Sequence, residues 1–491
     1  MSSPATSPFL SPRWPLAAAI GISLLAIALR LFPIHESLWI DELHTAWCAV
    51  GSLDEVLPRA TIGNQSPLFF WLQWLLVRLL GPNEWSLRLP SFMAGALLPL
   101  AAFLLVRRWS TSCAGLVASA LTTIDPTSIF YATEARPYAL VQLLALIHAG
   151  LTAELILRPS AWLRAAWVAI AAVLFNLHYT AALIVPAEIV FYALASIVWP
   201  RLVNHRWTSC LLDGFILVLF CLPAVGNIAS IFDRRTNWAA FIPLESLDAL
   251  FDWWPPAVGV GFIAAAALTD RSPARRAPAD TPGDPNNTAF LALVSCWLLV
   301  PTLCAWMATR FDVARLFFPR YLMVAQPAAL AAAALCPDLA PWRRSKIALS
   351  LLIVSAALAT GGVADRLIHE GRVSAPRGED WRGAVGWLNE QPEKTQFPVL
   401  VYSGLIEANA LREPHDPLLE DYCLLPVASL YPLDLEPADM IPLPVHEPGR
   451  LDQTAELLVV HRGGAWLIVR GGREAGQKIA TEIIKIGRAH V

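Results

Sequence analysis

Asp41 and Glu42 stand side by side between Trp39-Ile40 and Leu43, just beyond a long apolar run. A carboxylate pair in apolar surroundings is costly unless it is paired or used. Its natural chemistry at such a boundary is to accept a proton from a hydroxyl. The structural alternative is that Asp41 caps a helix running from Glu42 to Val50. Further along, TEARPYAL places Glu134, Arg136 and Tyr138 together, with Pro137 suited to start a helix. A guanidinium there has the planar fork that recognises phosphate, although a local Glu134-Arg136 pair would use the same residues. RFDVARLFFPRYL contributes Arg310, Arg315, Arg320 and Tyr321, and LFNLHYTA contributes His178 and Tyr179. Snorkelling anchors and a structurally satisfied histidine are the alternatives for these two.

The elements that must hold these residues are membrane helices. Of 491 residues 56% are hydrophobic and only 15% charged, against about 25% charged in soluble domains. Mean hydropathy is +0.52. The net charge of -3 suggests no nucleic-acid partner. Apolar runs near 14-34, 87-106, 112-131, 137-157, 162-178, 181-199, 209-230, 254-268, 289-308, 320-336 and 346-363 predict about eleven spans. The apolar stretch 67-80 is short and is expected to lie along the interface. Basic residues gather in alternate loops, among them Arg107, Arg108, Arg201, Arg206, Arg271, Arg275, Arg276, Arg344 and Lys346. The positive-inside rule makes those loops cytoplasmic and puts the first loop and the C-terminal segment outside.

The expected division is a transmembrane domain over residues 1-363, with a functional first loop at about 35-86, and an extracytoplasmic domain over 364-491. In the latter, VGWLNEQ reads as helix, while FPVLVYSG, ELLVVHRG and AWLIVRGG read as strands of a small α/β domain. The segment 269-288 reads as a loose cytoplasmic loop. Eight cysteines, none in a CxxC pair, suggest apolar packing rather than disulfides or zinc.

On this topology the carboxylates, arginines, histidine and tyrosines all map to one membrane face. That set suits a transfer from a lipid phosphate. The departing phosphate needs cationic stabilisation as its bond breaks, and the acceptor hydroxyl needs a base. A transporter or lipid flippase would instead gather its polar groups near the midplane, often on repeated halves; no internal repeat is apparent.

At these same residues the chain resembles the GT-C-fold glycosyltransferases. These include protein O-mannosyltransferases, lipid A aminoarabinose transferases and rhizobial lipopolysaccharide galacturonosyltransferase-like proteins. The resemblance runs over about residues 14-340 and is carried by WIDELHTA, NQSPLFFWLQWL, EWSLRLPSFMAG, TEARPYAL and FFPRYLMVAQPA, with DWRGAVGWL resembling the start of family C-terminal domains. It implies a polyprenyl-phosphate sugar donor and a lipid, glycan or protein acceptor. It also implies Asp41 as the catalytic carboxylate with Glu42 in support. Glu134, Arg136, Tyr138, His178, Arg320 and Tyr321 are the expected substrate contacts. Gln65-Ser66-Pro67 stands where His-Pro-Pro is common, so any role of that histidine is missing. A divalent ion is left open, since Asp41 and Glu42 alone are not a complete site.

Overall fold

The computed structural model describes residues 13-235, 242-244, 246-252, 259, 285-339, 343-403, 417-436, 439-443, 464-474 and 476-481. The protein is predominantly helical. Its contacts divide it into two compact units: residues 1-34 with 88-375, and residues 35-87 with 376-491. This differs from a cut at residue 363, because the first loop packs with the C-terminal segment.

In the first unit, helices long and apolar enough to cross a membrane are Trp14-His35, Glu84-Trp109 (whose first turn belongs to the second unit), Tyr138-Leu157, Tyr179-Val198, Trp207-Asp233, Thr288-Arg310 and Arg344-Gly361. With these spans the chain is an integral membrane protein. Seven among the described residues, or eight with one bent pair, is fewer than the expected eleven, and three of the four differences have a local cause. The run 112-131 is broken by 61° between helices Ser112-Ile124 and Pro126-Ala132. Asp125 precedes a proline, which disfavours helical backbone there, and it sits extended at φ -65°, ψ 119° while capping the second helix. The run 162-178 forms a 17-residue helix, Ala161-Leu177, that stops at extended His178.

The run 320-336 is a single turn, Pro319-Leu322, followed by the ten-residue helix Gln326-Leu335. Ten residues rise about 15 Å, half a hydrocarbon core. All ten are buried, and the alanine side chains let neighbouring helices approach closely. The expected span 254-268 lies outside the described residues, apart from Gly259, and so does the loop 269-284.

In the second unit the first loop forms helices Ile40-Val50, Val56-Ile62 and Leu68-Leu80. The last buries Phe69, Phe70, Gln73 and Val77 and leaves Trp71, Leu75 and Leu79 as an exposed apolar stripe. From the C-terminal segment come helix Trp381-Asn389 and strands β1 (Val399-Tyr402), β2 (Met440-Pro442) and β3 (Trp466-Val469). They form a parallel sheet in the order β2-β1-β3. Two of the three expected strands are therefore present as β1 and β3. ELLVVHRG lies outside the described residues, and β2 was not foreseen.

Candidate functional site

In the second unit the acidic pair begins the helix Ile40-Val50. Trp39, not Asp41, occupies the cap position (φ -113°, ψ 174°), so the capping role does not account for Asp41. Both carboxylates lie in the first turn, where the helix dipole favours negative charge. Their surroundings differ. Glu42 is wholly buried. It accepts the Trp39 N-H at 3.4 Å and lies 3.7 Å from Arg377 Nε. The buried Arg377 also donates through Nη1 to Glu36 at 2.9 Å. Asp41 keeps partial exposure. Glu42 is thus held by a fixed counter-charge, and Asp41 is the member of the pair that solvent reaches.

This helix is clamped from the C-terminal segment. Trp47 stacks on Tyr422 with ring centres 4.4 Å apart. The Arg59 guanidinium lies 4.9 Å over Trp47 and donates to the Trp47 carbonyl at 2.6 Å. His44 packs edge-on against Phe70 and Tyr422, and a Cβ at Gly63 would collide with its imidazole. Tyr431 accepts the Leu38 N-H at 2.9 Å and donates to Glu84 at 2.8 Å. Burial pushes its phenol up to about 12, so it stays a donor at physiological pH. Arg382, in the DWRGAV segment, pairs with Glu84 and donates to the His35 carbonyl at 2.9 Å.

In the first unit a separate cluster forms around His178. The short helix Pro126-Ala132 ends in a turn that delivers Arg136, whose carbonyl accepts from Ser91 Oγ at 2.7 Å. The guanidinium of Arg136 lies 6.0 Å from the Tyr138 ring centre. Tyr138 meets Tyr131 at 4.8 Å and His178 at 5.5 Å. On the other side His178 faces Tyr321 at 5.7 Å. Arg320 lies over Phe318 and Tyr321, at 5.1 and 5.6 Å. Glu134 and Arg136 are nearly fully buried, whereas Arg320, Tyr321 and His178 are partly exposed.

Hydrogen bonding fixes the histidine tautomer. Thr180 Oγ1 donates to the Tyr321 carbonyl at 2.9 Å and contacts His178 Nδ1 at 2.7 Å. Its single proton is committed, so Nδ1 must donate and Nε2 carries a lone pair. Burial, then the positive charges of Arg136 and Arg320, push His178 down to about 3. The ring is neutral at physiological pH.

The expected contacts Glu134, Arg136, Tyr138, His178, Arg320 and Tyr321 all fall within the first unit, and Arg136, Tyr138, His178, Arg320 and Tyr321 are joined by direct contacts or by charge. Arg315 is not among them: it bonds Asp312 at 2.8 Å and the Ile242 carbonyl at 2.7 Å. Arg310 ends its helix exposed. Arg377 and Thr180 were missed. No local signal marks Arg377, while Thr180 stands two residues from a histidine already singled out. Among the described residues no group of three or more His, Cys, Asp or Glu side chains could hold a metal ion.

The sequence profile of the dolichyl-phosphate-mannose-protein mannosyltransferase family matches residues 64-225, which takes in Arg136, Tyr138 and His178. No curated protein matches the chain. Among solved structures, ArnT from Cupriavidus metallidurans bound to undecaprenyl phosphate is 12% identical, with 88% of this chain and 90% of that one aligned at a TM-score of 0.50. Its apo form aligns over 84% and 74% at 14% identity and a TM-score of 0.47. The oligosaccharyltransferase AglB from Archaeoglobus fulgidus, with an inhibitory peptide and a dolichol-phosphate, aligns over 79% and 59% at 11% identity and a TM-score of 0.45. The chain is an integral membrane protein with the GT-C glycosyltransferase fold.

Proposed function

We propose that the protein transfers a sugar from a polyprenyl-phosphate-linked donor to a hydroxyl on an envelope lipid, glycan or protein, at the extracytoplasmic face. The observation that carries this reading is the pair of arginines about His178, next to three tyrosines, in a fold shared with a protein that binds undecaprenyl phosphate.

In this mechanism Arg136 and Arg320 hold the donor phosphate and offset its charge as the bond to the sugar breaks. The acceptor oxygen attacks C1 of the sugar. The C1-O bond breaks with its electron pair going to the polyprenyl phosphate, and the acceptor proton passes to Asp41. Phosphate leaves readily, so no general acid is required, and most of the remaining acceleration comes from holding two substrates together. Asp41 is favoured over Glu42 as the base because Glu42 is sealed against Arg377. The Nε2 lone pair of His178 would repel a phosphate oxygen and suits a sugar hydroxyl, which assigns His178 to the sugar.

Incubating the purified protein in nanodiscs with radiolabelled polyprenyl-phosphate sugars tests the reading. Acceptor-dependent release of the free carrier phosphate is expected. Translocation of the intact donor with no release would make the protein a flippase and overturn it.

A further inference from the structure

The break between helices Ser112-Ile124 and Pro126-Ala132 is held by a carboxylate that the mechanism does not use. Asp125 is 7% exposed and lies far from water for a charged group. Its Oδ2 accepts the Ser128 N-H at 2.7 Å, capping the helix that leads into the Arg136 turn. The same oxygen accepts Gln326 Nε2 at 3.2 Å. Gln326 opens the buried helix that comes after the Arg320 turn. Arg30, wholly buried, donates to the Ala26 and Thr122 carbonyls, each at 3.1 Å, and its charge acts on Asp125. On the opposite side, a Cβ at Gly95 would collide with Ala132, so the short helix is also pressed against the span Glu84-Trp109.

A cap alone does not need a second donor from another helix, nor a buried counter-charge. We infer that Asp125 is a positioning residue for the phosphate-binding arginines: one oxygen ties the segment bearing Arg136 to the segment bearing Arg320 and so fixes their spacing. This rests on the donor-phosphate role proposed above for the two arginines. Buried hydrogen bonds shared between two segments restrict both to few arrangements, and small misplacements at a binding site are costly.

The test is the affinity of the intact protein for a polyprenyl monophosphate, measured in nanodiscs well below the melting temperature. Asp125→Ala removes both ties, and Gln326→Leu removes only the one to the Arg320 segment. Both should weaken binding on the order of tenfold. Asp125→Asn should bind nearly as wild type, since one amide oxygen in the Oδ2 position accepts both bonds. Asp338→Asn is the control. That carboxylate ties Ser110, Thr111 and Lys346 in the same unit but touches neither arginine segment, and it should leave affinity unchanged.

Wild-type affinity in Gln326→Leu and Asp125→Ala overturns the inference, as does an equal loss in the Asp338 control or a loss in Asp125→Asn matching that in Asp125→Ala. If Asp125→Ala fails to fold, Gln326→Leu decides, because it leaves the cap intact. Arg136→Ala and Arg320→Ala are measured alongside. Wild-type affinity in those two would refute the donor-site reading itself, whereas losses there with none at Gln326 refute only the positioning role.

Discussion

Replacing Asp41 by Asn separates the chemistry of the acidic pair from its structural part. The change keeps side-chain size and most hydrogen bonding but removes the proton acceptor. Loss of a general base lowers turnover by roughly two to four orders of magnitude, which is about 3-5 kcal/mol of barrier. The stability cost should be far smaller. Trp39 holds the cap position, so what Asn forfeits is a charge-dipole attraction of about 0.3-1 kcal/mol at the helix start. Glu42→Gln should behave in the opposite sense. Glu42 is wholly buried beside Arg377, and removing one partner of a buried pair costs about 3-5 kcal/mol. Arg377 keeps Glu36, so the lower end of that range is expected. Turnover on a polyprenyl-phosphate sugar and thermal unfolding, measured for both variants in nanodiscs, give a crossed pattern: Asp41→Asn inactive but stable, Glu42→Gln less stable. An Asp41→Asn protein with full turnover would refute the base assignment, and equal destabilisation of the two would refute the division of roles.

Three further outcomes are expected. Arg136→Ala and Arg320→Ala should each weaken donor binding by roughly ten- to a hundredfold, the range for a charge-assisted bond. Lysine should rescue only in part, and Arg315→Ala, already committed to Asp312, should bind normally by isothermal titration. His178 should make the protein acid-sensitive. Its folded pKa of about 3 lies below the ordinary 6.5, so the unfolded chain binds the extra proton first. Stability is therefore complete above about pH 6.5 and is lost as pH falls, by up to about 1.4 kcal/mol per unit, less where water reaches the ring. His178→Gln should flatten the loss of melting temperature between about pH 7 and 5, and an unchanged profile would contradict the shift. Finally, single cysteines at the exposed positions Leu53 and Glu393, in a cysteine-depleted background, should react with an impermeant thiol reagent added outside. Reaction only after permeabilisation would place the proposed base in the cytoplasm.

Hydropathy is a local property, so the long apolar helices among the described residues could be read from composition and run length alone. The helix ends are equally local, and the motifs at them stand out because charge beside a bilayer is rare. The Asp125-Pro126 break was also written in the sequence, in a residue before proline that can cap the next helix, yet an apolar run on either side concealed it. What the linear order could not supply was partnership. Arg315 pairs with Asp312 only three residues away, whereas the fold brings the charge of Arg320 to the distant His178. Asp41 and Glu42 are neighbours of like chemistry. Arg377, arriving from the C-terminal segment, seals one and leaves the other open to solvent. The division into units has the same origin. The first loop joins residues 376-491 because Tyr422 and Tyr431 fill its aromatic and polar contacts. Such contacts bring together residues remote in the chain, and side-chain period and composition carry no record of which distant group will meet them.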